Sequence, residues 1–439
     1  MSQATRLVAG CAAVAALLLP ALWNGFPLVY PDTGGYLERP FLGTLELGRS
    51  ALYGVYLAAG MKLDFWPNVS LQAALIAWLL FLTLRAHGWG QRPWLAFGVA
   101  ALLAVSTSLP LYVSQLMPDM MFPAGVLALH LLAFRTDALG RGERFCLAAV
   151  IALAIAAHMA NFALMAALMT AFFITARIGP TGWPKVRLAW TSAAVACGVA
   201  LCPLSNAAIT GQFAFTPGGT NFLFQRLIED GIVTRYLDAQ CPDPNLRICE
   251  YRGEISEGLD DWLWKNGTPF WKLGGWQGHS GEERRIIIAT LTRYPLAHLT
   301  TAAAAAAGQF VAFASEFVTS PWDNARTLDT LVQREPRLRP RLMTARQQRG
   351  SLDISALNAI HVPVAALSLI GIAGMILFGA RFAVTPHARA LCLSVFLALF
   401  INAAVSGIFS HPSDRYQSRL VSLAPFALMV ALLSRRRAA

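Results

Sequence analysis

Charged side chains are scarce in this sequence. Asp, Glu, Lys and Arg make up 13% of the 439 residues, whereas 56% are hydrophobic and the mean hydropathy is +0.51. A soluble globular domain carries roughly a quarter charged residues, so this composition excludes that class. The chain is therefore predicted to be an integral membrane protein.

Motifs of soluble nucleotide-binding and hydrolytic enzymes are absent. The chain has no Walker loop, no GxGxxG at a strand-to-helix junction, no HExxH, no pair of CxxC motifs and no GxSxG elbow. No basic run is interleaved with aromatic residues, which argues against nucleic acid as a partner. The net charge of +11 instead indicates basic cytoplasmic loops or a surface that faces lipid phosphates.

Cysteines are few, and five of the seven lie in apolar runs where core positions are expected. The other two, Cys241 and Cys249 in CPDPNLRIC, lie in a polar segment. They are candidates for a disulfide if that segment occupies an oxidising compartment.

Apolar stretches long enough to cross a membrane recur along the chain. A helix of about 20 apolar residues crosses the hydrocarbon core, where only its own backbone can satisfy its hydrogen bonds. We predict an all-α polytopic protein with about 10 to 12 transmembrane helices. The first stretch has no small-x-small cleavage site after Leu22 and is interpreted as an uncleaved span. The predicted spans lie near 6–24, 67–84, 94–108, 121–135, 145–158, 160–177, 188–205, 297–316, 358–379, 388–405 and 417–434.

Three modules follow from this pattern. Residues 1–205 form an N-terminal transmembrane module whose first outer loop, 25–66, carries a surface helix between Arg49 and Trp66. Residues 206–296 are more polar, contain Cys241 and Cys249 and many aromatic residues, and are predicted to form a small exofacial domain. Residues 297–439 form a C-terminal transmembrane module with a loop at 317–357.

The loops of the first module alternate in charge. Arg and Lys occur in the loops near 85–92, 135–144 and 177–187, whereas the loops near 109–120 and 156–161 have none. By the positive-inside rule the N-terminus and the basic loops are cytoplasmic, and Asp32, Asp119 and His158 face outward with the 206–296 domain.

The charge pattern does not decide the membrane topology of the C-terminal module, for which two courses of the chain are possible. If 297–316 crosses the membrane, the basic segment 326–349 is cytoplasmic and the terminal SRRRAA is outside. If 297–316 lies in the interface or re-enters, the segment 326–349 is outside and SRRRAA is inside. We favour the second course, because it returns HPSDRYQSR to the same face as Asp32.

Asp32 is the first candidate for chemistry. It follows the first span in WNGFPLVYPDTGGYLERP, between Pro31 and a Thr-Gly-Gly turn. One interpretation is the N-cap of a following helix. The other is a base positioned by a stiff outward loop, which the crowding of Tyr30 and Tyr36 beside it favours.

Asp119 and His158 are further candidates. Asp119 lies in SQLMPDMMFP at the start of a span, where a charge is costly and tends to be kept for a reason, although an N-cap after Pro118 is equally compatible. His158, in AAHMAN, lies at a tight outward turn with Asn161. Such a pair more often only closes a hairpin.

Two arginines open the last span. Arg415 and Arg419, in HPSDRYQSRLVSLAPF, are four residues apart and therefore share a helix face. The helix N-terminus disfavours cations, and a bound phosphate would remove that conflict. Interfacial snorkelling, or an ion pair between Arg415 and Asp414, is the alternative.

The motifs YPDTGGYL, SQLMPDMMFP, AAHMAN and SDRYQSRLVSLAP, in this order along the chain, resemble those of the GT-C superfamily of membrane glycosyltransferases. The resemblance implies a GT-C-like fold that takes a sugar from a polyprenyl-phosphate-linked donor on the outer face of the cytoplasmic membrane. It assigns Asp32 as the catalytic base, with Asp119 as a second acid, and an inverting single displacement. Many members carry a pair of acids where this chain has PDTGGY, so no metal site is assigned and a divalent metal is left open.

The same resemblance implies a set of binding residues and partners. Arg415 and Arg419 would hold the lipid phosphate, and the neighbouring substrate residues would be Tyr36, His158, His411 and Tyr416. The partners would be the lipid-linked donor, membrane lipid and an acceptor glycan, lipid or protein. A transporter, or a lipid-binding protein without glycosyl transfer, is the competing class, although no pair of similar halves with broken helices is visible.

Overall fold

The computed structural model describes residues 3–45, 48–178, 182–215, 217–258, 261–315 and 325–435, and in these ranges the chain is helical and contains no strand. Isolated backbone bridges join Leu28 to Gln115 and Val384 to Arg435. The prediction of an all-α polytopic membrane protein is confirmed. Of the terminal SRRRAA, the structure describes only Ser434 and Arg435.

The N-terminal module consists of eleven α-helices in the described ranges. They are α1 (Gln3–Leu17), α2 (Leu19–Asn24), α3 (Thr33–Leu42), α4 (Ala51–Gly60), α5 (Trp66–Leu84), α6 (Pro93–Ser106), α7 (Leu109–Val113), α8 (Met121–Phe134), α9 (Arg141–Ala157), α10 (Met159–Ile178) and α11 (Ala189–Thr210). The turn that precedes α8 is a short 3-10 helix, Pro118–Met120.

Thirteen further α-helices follow in the described residues. Those of the second module are α12 (Gly219–Glu229), α13 (Ile232–Gln240), α14 (Asp261–Trp264), α15 (Pro269–Lys272), α16 (Gly275–Gly278) and α17 (Ser280–Arg293). Those of the third are α18 (Pro295–Val311), α19 (Ala325–Arg334), α20 (Arg339–Thr344), α21 (Asn358–Phe378), α22 (Pro386–Phe409), α23 (Asp414–Val421) and α24 (Leu423–Leu433).

Six helical segments in the described ranges are long and apolar enough to cross a membrane, and shorter apolar helices lie between them. The six are Trp66–Trp89, Met159–Ile178, Ala189–Thr210, Ser355–Phe378, Pro386–Phe409 and Asp414–Leu433. Two of them begin with proline in the first turn, where the missing N–H has no helical partner to lose. Five predicted spans are not among the six, namely those near 6–24, 94–108, 121–135, 145–158 and 297–316, and the last of them corresponds to α18.

The basic loops of the first module meet at one end of the bundle. Arg85 Nη1 and Nη2 donate to the carboxylate of Glu143 at 2.7 and 2.6 Å, and so join the loop after α5 to the start of α9. The backbone N–H of Arg187 donates to the carbonyl of Ala133 at 2.8 Å. The three loops that the sequence pattern grouped by charge are therefore neighbours.

The segment after α18 stays at the other end, with Asp32. The N–H of Ala314 donates to Asp414 Oδ1 at 2.8 Å, directly beside Arg415. Farther along, Gln347 Nε2 donates to the carbonyl of Val29 at 2.8 Å. This arrangement agrees with the second course, in which α18 does not cross and the segment 326–349 shares the face of Asp32.

The surface helix predicted between Arg49 and Trp66 corresponds to α4, which packs against α3 at the end of the bundle. Helix α4 begins at Ala51, because the Ser50 hydroxyl accepts the N–H of Tyr53 as an N-cap. Its contact with α3 is so close that a Cβ at Gly54 would lie 2.2 Å from the Tyr36 carbonyl oxygen. Helix α4 thus lies at the surface with one face packed against α3, while Val55 on its other face is 41% exposed.

The second module has a core of its own, formed by apolar residues between Phe224 and Ile287. A disulfide joins Cys241 to Cys249. The predicted boundary at residue 206 falls inside α11, which continues to Thr210 and ends at Gly211, whose φ of 74° is the left-handed conformation that terminates many helices.

Candidate functional site

Asp32 ends the turn before α3, but its carboxylate does not cap that helix. It accepts a hydrogen bond from Arg49 Nη2 at 2.6 Å, and Arg415 Nη1 lies 3.7 Å from its other oxygen. Burial alone would raise the pKa of Asp32, but the charges of Arg49 and Arg415 outweigh it and hold the pKa below the ordinary value of 3.8. The carboxylate is therefore ionised at neutral pH.

The Thr-Gly-Gly turn after Asp32 makes specific contacts through Thr33 and through the space at Gly35. The Thr33 hydroxyl donates to the carbonyl of Leu116 at 3.1 Å, which ties the turn to the segment before Asp119. A Cβ at Gly35 would lie 2.6 Å from the Cδ of Arg49. The absence of a side chain at this position makes room for the guanidinium that holds Asp32.

Asp119 is fully buried and binds both arginines of α23. Its carboxylate accepts from Arg415 Nη2 at 2.9 Å and from Arg419 Nη1 at 3.3 Å. A buried carboxylate without such partners would be strongly destabilising. Asp119 is therefore an anchor for the two guanidiniums and not an N-cap.

Aromatic rings hold the same arginines from the other side. The Arg415 guanidinium lies 3.9 Å from the ring centre of Tyr30, and that of Arg419 lies 3.4 Å from the ring centre of Phe122. Planar guanidiniums stack on aromatic faces and retain their donors for ligands at the edge. Arg415 does not snorkel to the interface, because it is buried. It also does not pair with Asp414, whose carboxylate accepts the N–H of Ala314 instead.

Guanidiniums outnumber carboxylates among the described side chains of this site. Arg49, Arg415 and Arg419 lie around Asp32 and Asp119 in a largely buried place. Guanidinium groups of this kind can bind an anionic ligand through their remaining donors.

A cavity of about 410 Å³ opens beside this cluster. Its polar wall is formed by Asp32, Arg49, His158, Arg415, Tyr416 and Arg419. Its apolar wall includes Val405 and Phe409 from α22 and Phe222 and Trp264 from the second module. The cavity thus joins a charged end to an apolar surface, as in sites for amphipathic ligands.

The structure brings most of the predicted substrate residues to this cavity. Tyr36 and Tyr416 line it, and so does His158, whose Nδ1 accepts the N–H of Ala160 at 3.2 Å at the break between α9 and α10. His411 lies beside Tyr416, with ring centres 6.2 Å apart, but is not part of the cavity wall. Asp119 is behind the wall.

Arg49 is the main residue that sequence reasoning missed as a ligand of Asp32. Arg49 is 17 positions from Asp32, and its sequence context indicates only the start of a helix. Phe222 and Trp264 close the cavity from the second module. The sequence indicated only that this module is rich in aromatic residues, not that these two line a cavity. No local spacing could have indicated these contacts, because they arise from tertiary packing, within the first module for Arg49 and between modules for Phe222 and Trp264.

The described residues contain no group of three His, Cys, Asp or Glu side chains that could hold a metal ion. The carboxylates of Asp32 and Asp119 are both bound to guanidiniums. These two acids therefore do not fit a divalent metal site in this arrangement.

No protein-family model and no curated protein matches the sequence. The chain is similar to the crystal structure of ArnT from Cupriavidus metallidurans in the apo state, with 13% identity over 98% of this chain and 78% of the other. The TM-score is 0.30, a level at which the likeness carries no argument about fold or activity.

Proposed function

We propose that this protein is a membrane glycosyltransferase of the GT-C type that uses a polyprenyl-phosphate-linked sugar, with Asp32 as the base. The observation that carries the proposal is the meeting of one ionised carboxylate with three guanidiniums at the charged end of a partly apolar cavity. The guanidiniums that line the cavity suit a phosphate, and the apolar wall suits a lipid tail.

The reaction is a single displacement at the anomeric carbon of the donor sugar. The acceptor hydroxyl oxygen bonds to that carbon while Asp32 takes the hydroxyl proton. The bond between the anomeric carbon and the phosphate oxygen breaks, and the electron pair leaves with the polyprenyl phosphate. Attack from the face opposite the leaving group inverts the anomeric centre.

The arginines would stabilise the departing phosphate. Arg415 and Arg419 are held in position by Asp119 and by their stacked rings, so little reorganisation is needed when negative charge develops. Arg49 would exchange its bond to Asp32 for one to the phosphate. That exchange would free the carboxylate to accept the proton only when the donor is bound.

The remaining walls have roles that follow from their chemistry. The donor sugar would lie between Asp32 and the rings of Phe222 and Trp264, and the lipid tail would follow the surface around Phe409 into the bilayer. We propose the outer face of the cytoplasmic membrane as the site of the reaction, because polyprenyl-phosphate sugars need no nucleotide there.

Mass spectrometry of organic extracts from the purified protein tests this proposal. The wild type is compared with Asp32→Asn, with Arg415→Ala/Arg419→Ala and with Asp329→Asn, a charge change at an exposed position. We expect co-purified polyprenyl phosphate in the wild type, enrichment of its glycosylated form in Asp32→Asn, and loss of both in the arginine variant. Asp329→Asn should match the wild type.

Because Arg415→Ala/Arg419→Ala leaves Asp119 buried without partners, Arg49→Gln is included as a second test of phosphate binding. We expect it to fold as the wild type does and to retain less lipid phosphate. If no isoprenoid phosphate accompanies the wild type or any variant, the proposal is overturned and a transporter becomes the better candidate.

A further inference from the structure

A basic segment lies at the end of the bundle opposite the basic loops of the first module. Residues 325–351, which we name the basic strap, contain seven arginines against Asp329 and Glu335. The loops near 85–92, 135–144 and 177–187 carry the other basic cluster of the transmembrane modules. The two regions are separated by the length of α5, which at 19 residues is roughly 28 Å.

The basic strap is fastened to the loop that carries Asp32. Gln347 is fully buried, accepts the N–H of Val29 at 3.0 Å and donates back to its carbonyl at 2.8 Å. The N–H of Gly34 donates to the Thr327 hydroxyl at 3.2 Å, and the Thr327 hydroxyl donates to the carbonyl of Pro31. The backbone of the strap is therefore fixed, and its arginines are presented from a stable surface.

Two strap arginines lie against exposed aromatic rings at the bundle edge. The Arg346 guanidinium lies 5.5 Å from the ring centre of Trp23, which is 50% exposed, and donates to its carbonyl at 3.0 Å. The Arg334 guanidinium lies 5.0 Å from the ring centre of Phe41, which is 45% exposed. Exposed Trp beside a first span marks the headgroup layer of a bilayer. The strap is thus at the level of lipid phosphates.

Other strap arginines have no acidic partner. Arg337 pairs with Glu335 and Arg341 with Asp64, whereas Arg326, Arg339 and Arg349 are exposed and form no ion pair within the described part of the chain. Basic loops normally gather on one face of a membrane protein. A basic surface at the opposite headgroup layer is stabilised if anionic groups of the bilayer face it.

We propose that the basic strap binds the phosphates of anionic membrane lipids, through Arg326, Arg339 and Arg349. This surface is separate from the cavity beside Asp32, and none of its arginines lines that cavity. Its partner is a phospholipid with a net negative headgroup. A zwitterionic lipid offers a phosphate whose charge is cancelled by its own amine.

Native mass spectrometry of the detergent-purified full chain tests this inference. The protein is mixed with equal amounts of phosphatidylglycerol and phosphatidylcholine that have the same acyl chains, and the retained lipids are counted. We expect a preference for phosphatidylglycerol in the wild type and about a tenfold weaker preference in Arg326→Gln/Arg339→Gln/Arg349→Gln, since each arginine near an anionic surface adds to the attraction.

The matched control is Arg247→Gln/Arg284→Gln/Arg285→Gln. It removes the same charge from exposed positions of the second module, and we expect it to retain phosphatidylglycerol as the wild type does. An equal loss in this control would overturn the proposal, because net charge and not the strap would then select the lipid. Unchanged preference in the strap variant would overturn it as well.

A soluble headgroup distinguishes lipid from free phosphate. Glycerol 3-phosphate added at the lipid concentration should not displace phosphatidylglycerol, because it lacks the tails that hold a lipid at the bundle edge. Complete displacement would overturn the assignment to a membrane lipid. The thermal midpoint of the strap variant should equal that of the wild type, since the three side chains are exposed.

Discussion

Asp119 has no exposed surface, and its carboxylate lies 2.9 Å from Nη2 of Arg415, 296 residues later in the chain. The pair joins the turn before α8 to the first turn of α23. It also sets the position of a guanidinium that lies 3.7 Å from Asp32. Two distant parts of the sequence therefore meet at the cavity through one buried ion pair.

We expect Asp119→Asn to lower the stability of the whole protein. Removing one partner of a buried ion pair costs about 3 to 5 kcal/mol, and here two arginines lose their counter-charge. Thermal unfolding in detergent measures the effect, with Asp329→Asn as the control for loss of an exposed acid. An Asp119→Asn midpoint equal to that of the control would contradict the anchoring role.

We expect Gly35→Ala to move Arg49 away from Asp32. The added Cβ would lie 2.6 Å from both Cδ and Nε of Arg49, and this flexible side chain can shift where backbone could not. Retention of polyprenyl phosphate should fall, although alanine within a helix is normally favourable by about 1 kcal/mol.

Gly142→Ala is the control for this substitution, because a Cβ at Gly142 has open space around it. Lipid retention and stability are measured on both variants. If Gly35→Ala is more stable than the wild type and retains the lipid unchanged, the close approach of Arg49 is not needed for binding.

The Thr327 hydroxyl is expected to order the loop that carries Asp32. Thr327→Val leaves the buried N–H of Gly34 without an acceptor, which costs about 1 to 3 kcal/mol. Hydrogen–deuterium exchange of peptides covering residues 29–37 should become faster, while peptides of the second module should be unaffected. Thr327→Ser keeps the hydroxyl and should exchange as the wild type does.

The stability of the second module should depend on pH through Glu283. Burial raises the pKa of this carboxyl to about 7, although the Asn221 amide donates to it at 2.8 Å. A folded pKa above the unfolded value means that protonation stabilises the fold. That contribution, roughly 3 kcal/mol, is complete below about pH 4.5 and is lost as the pH rises through 7.

Thermal unfolding of the wild type and of Glu283→Gln between pH 5 and pH 8.5 measures this contribution. The wild-type midpoint should fall across the range relative to that of Glu283→Gln, which cannot ionise and keeps an acceptor for Asn221. Parallel pH profiles of the two proteins would show that Glu283 does not titrate in this range.

The sequence by itself determined the helical class and the approximate positions of most spans. A run of apolar residues predicts a transmembrane helix because the backbone must satisfy its hydrogen bonds within the segment. The disulfide between Cys241 and Cys249 could equally be predicted from the sequence, since only eight positions separate the two cysteines. The shared helix face of Arg415 and Arg419 followed from their spacing. All of these properties are local.

Tertiary structure alone decided what each charged residue contacts. Asp32 is held by Arg49, Asp119 by α23, and the basic strap by the loop of Val29, and none of these pairs has a local periodicity. Each charge must find a partner when it is removed from water, but several partners satisfy that requirement equally. Helix packing selects one of them, and it also returned the segment after α18 to the end of the bundle that carries Asp32.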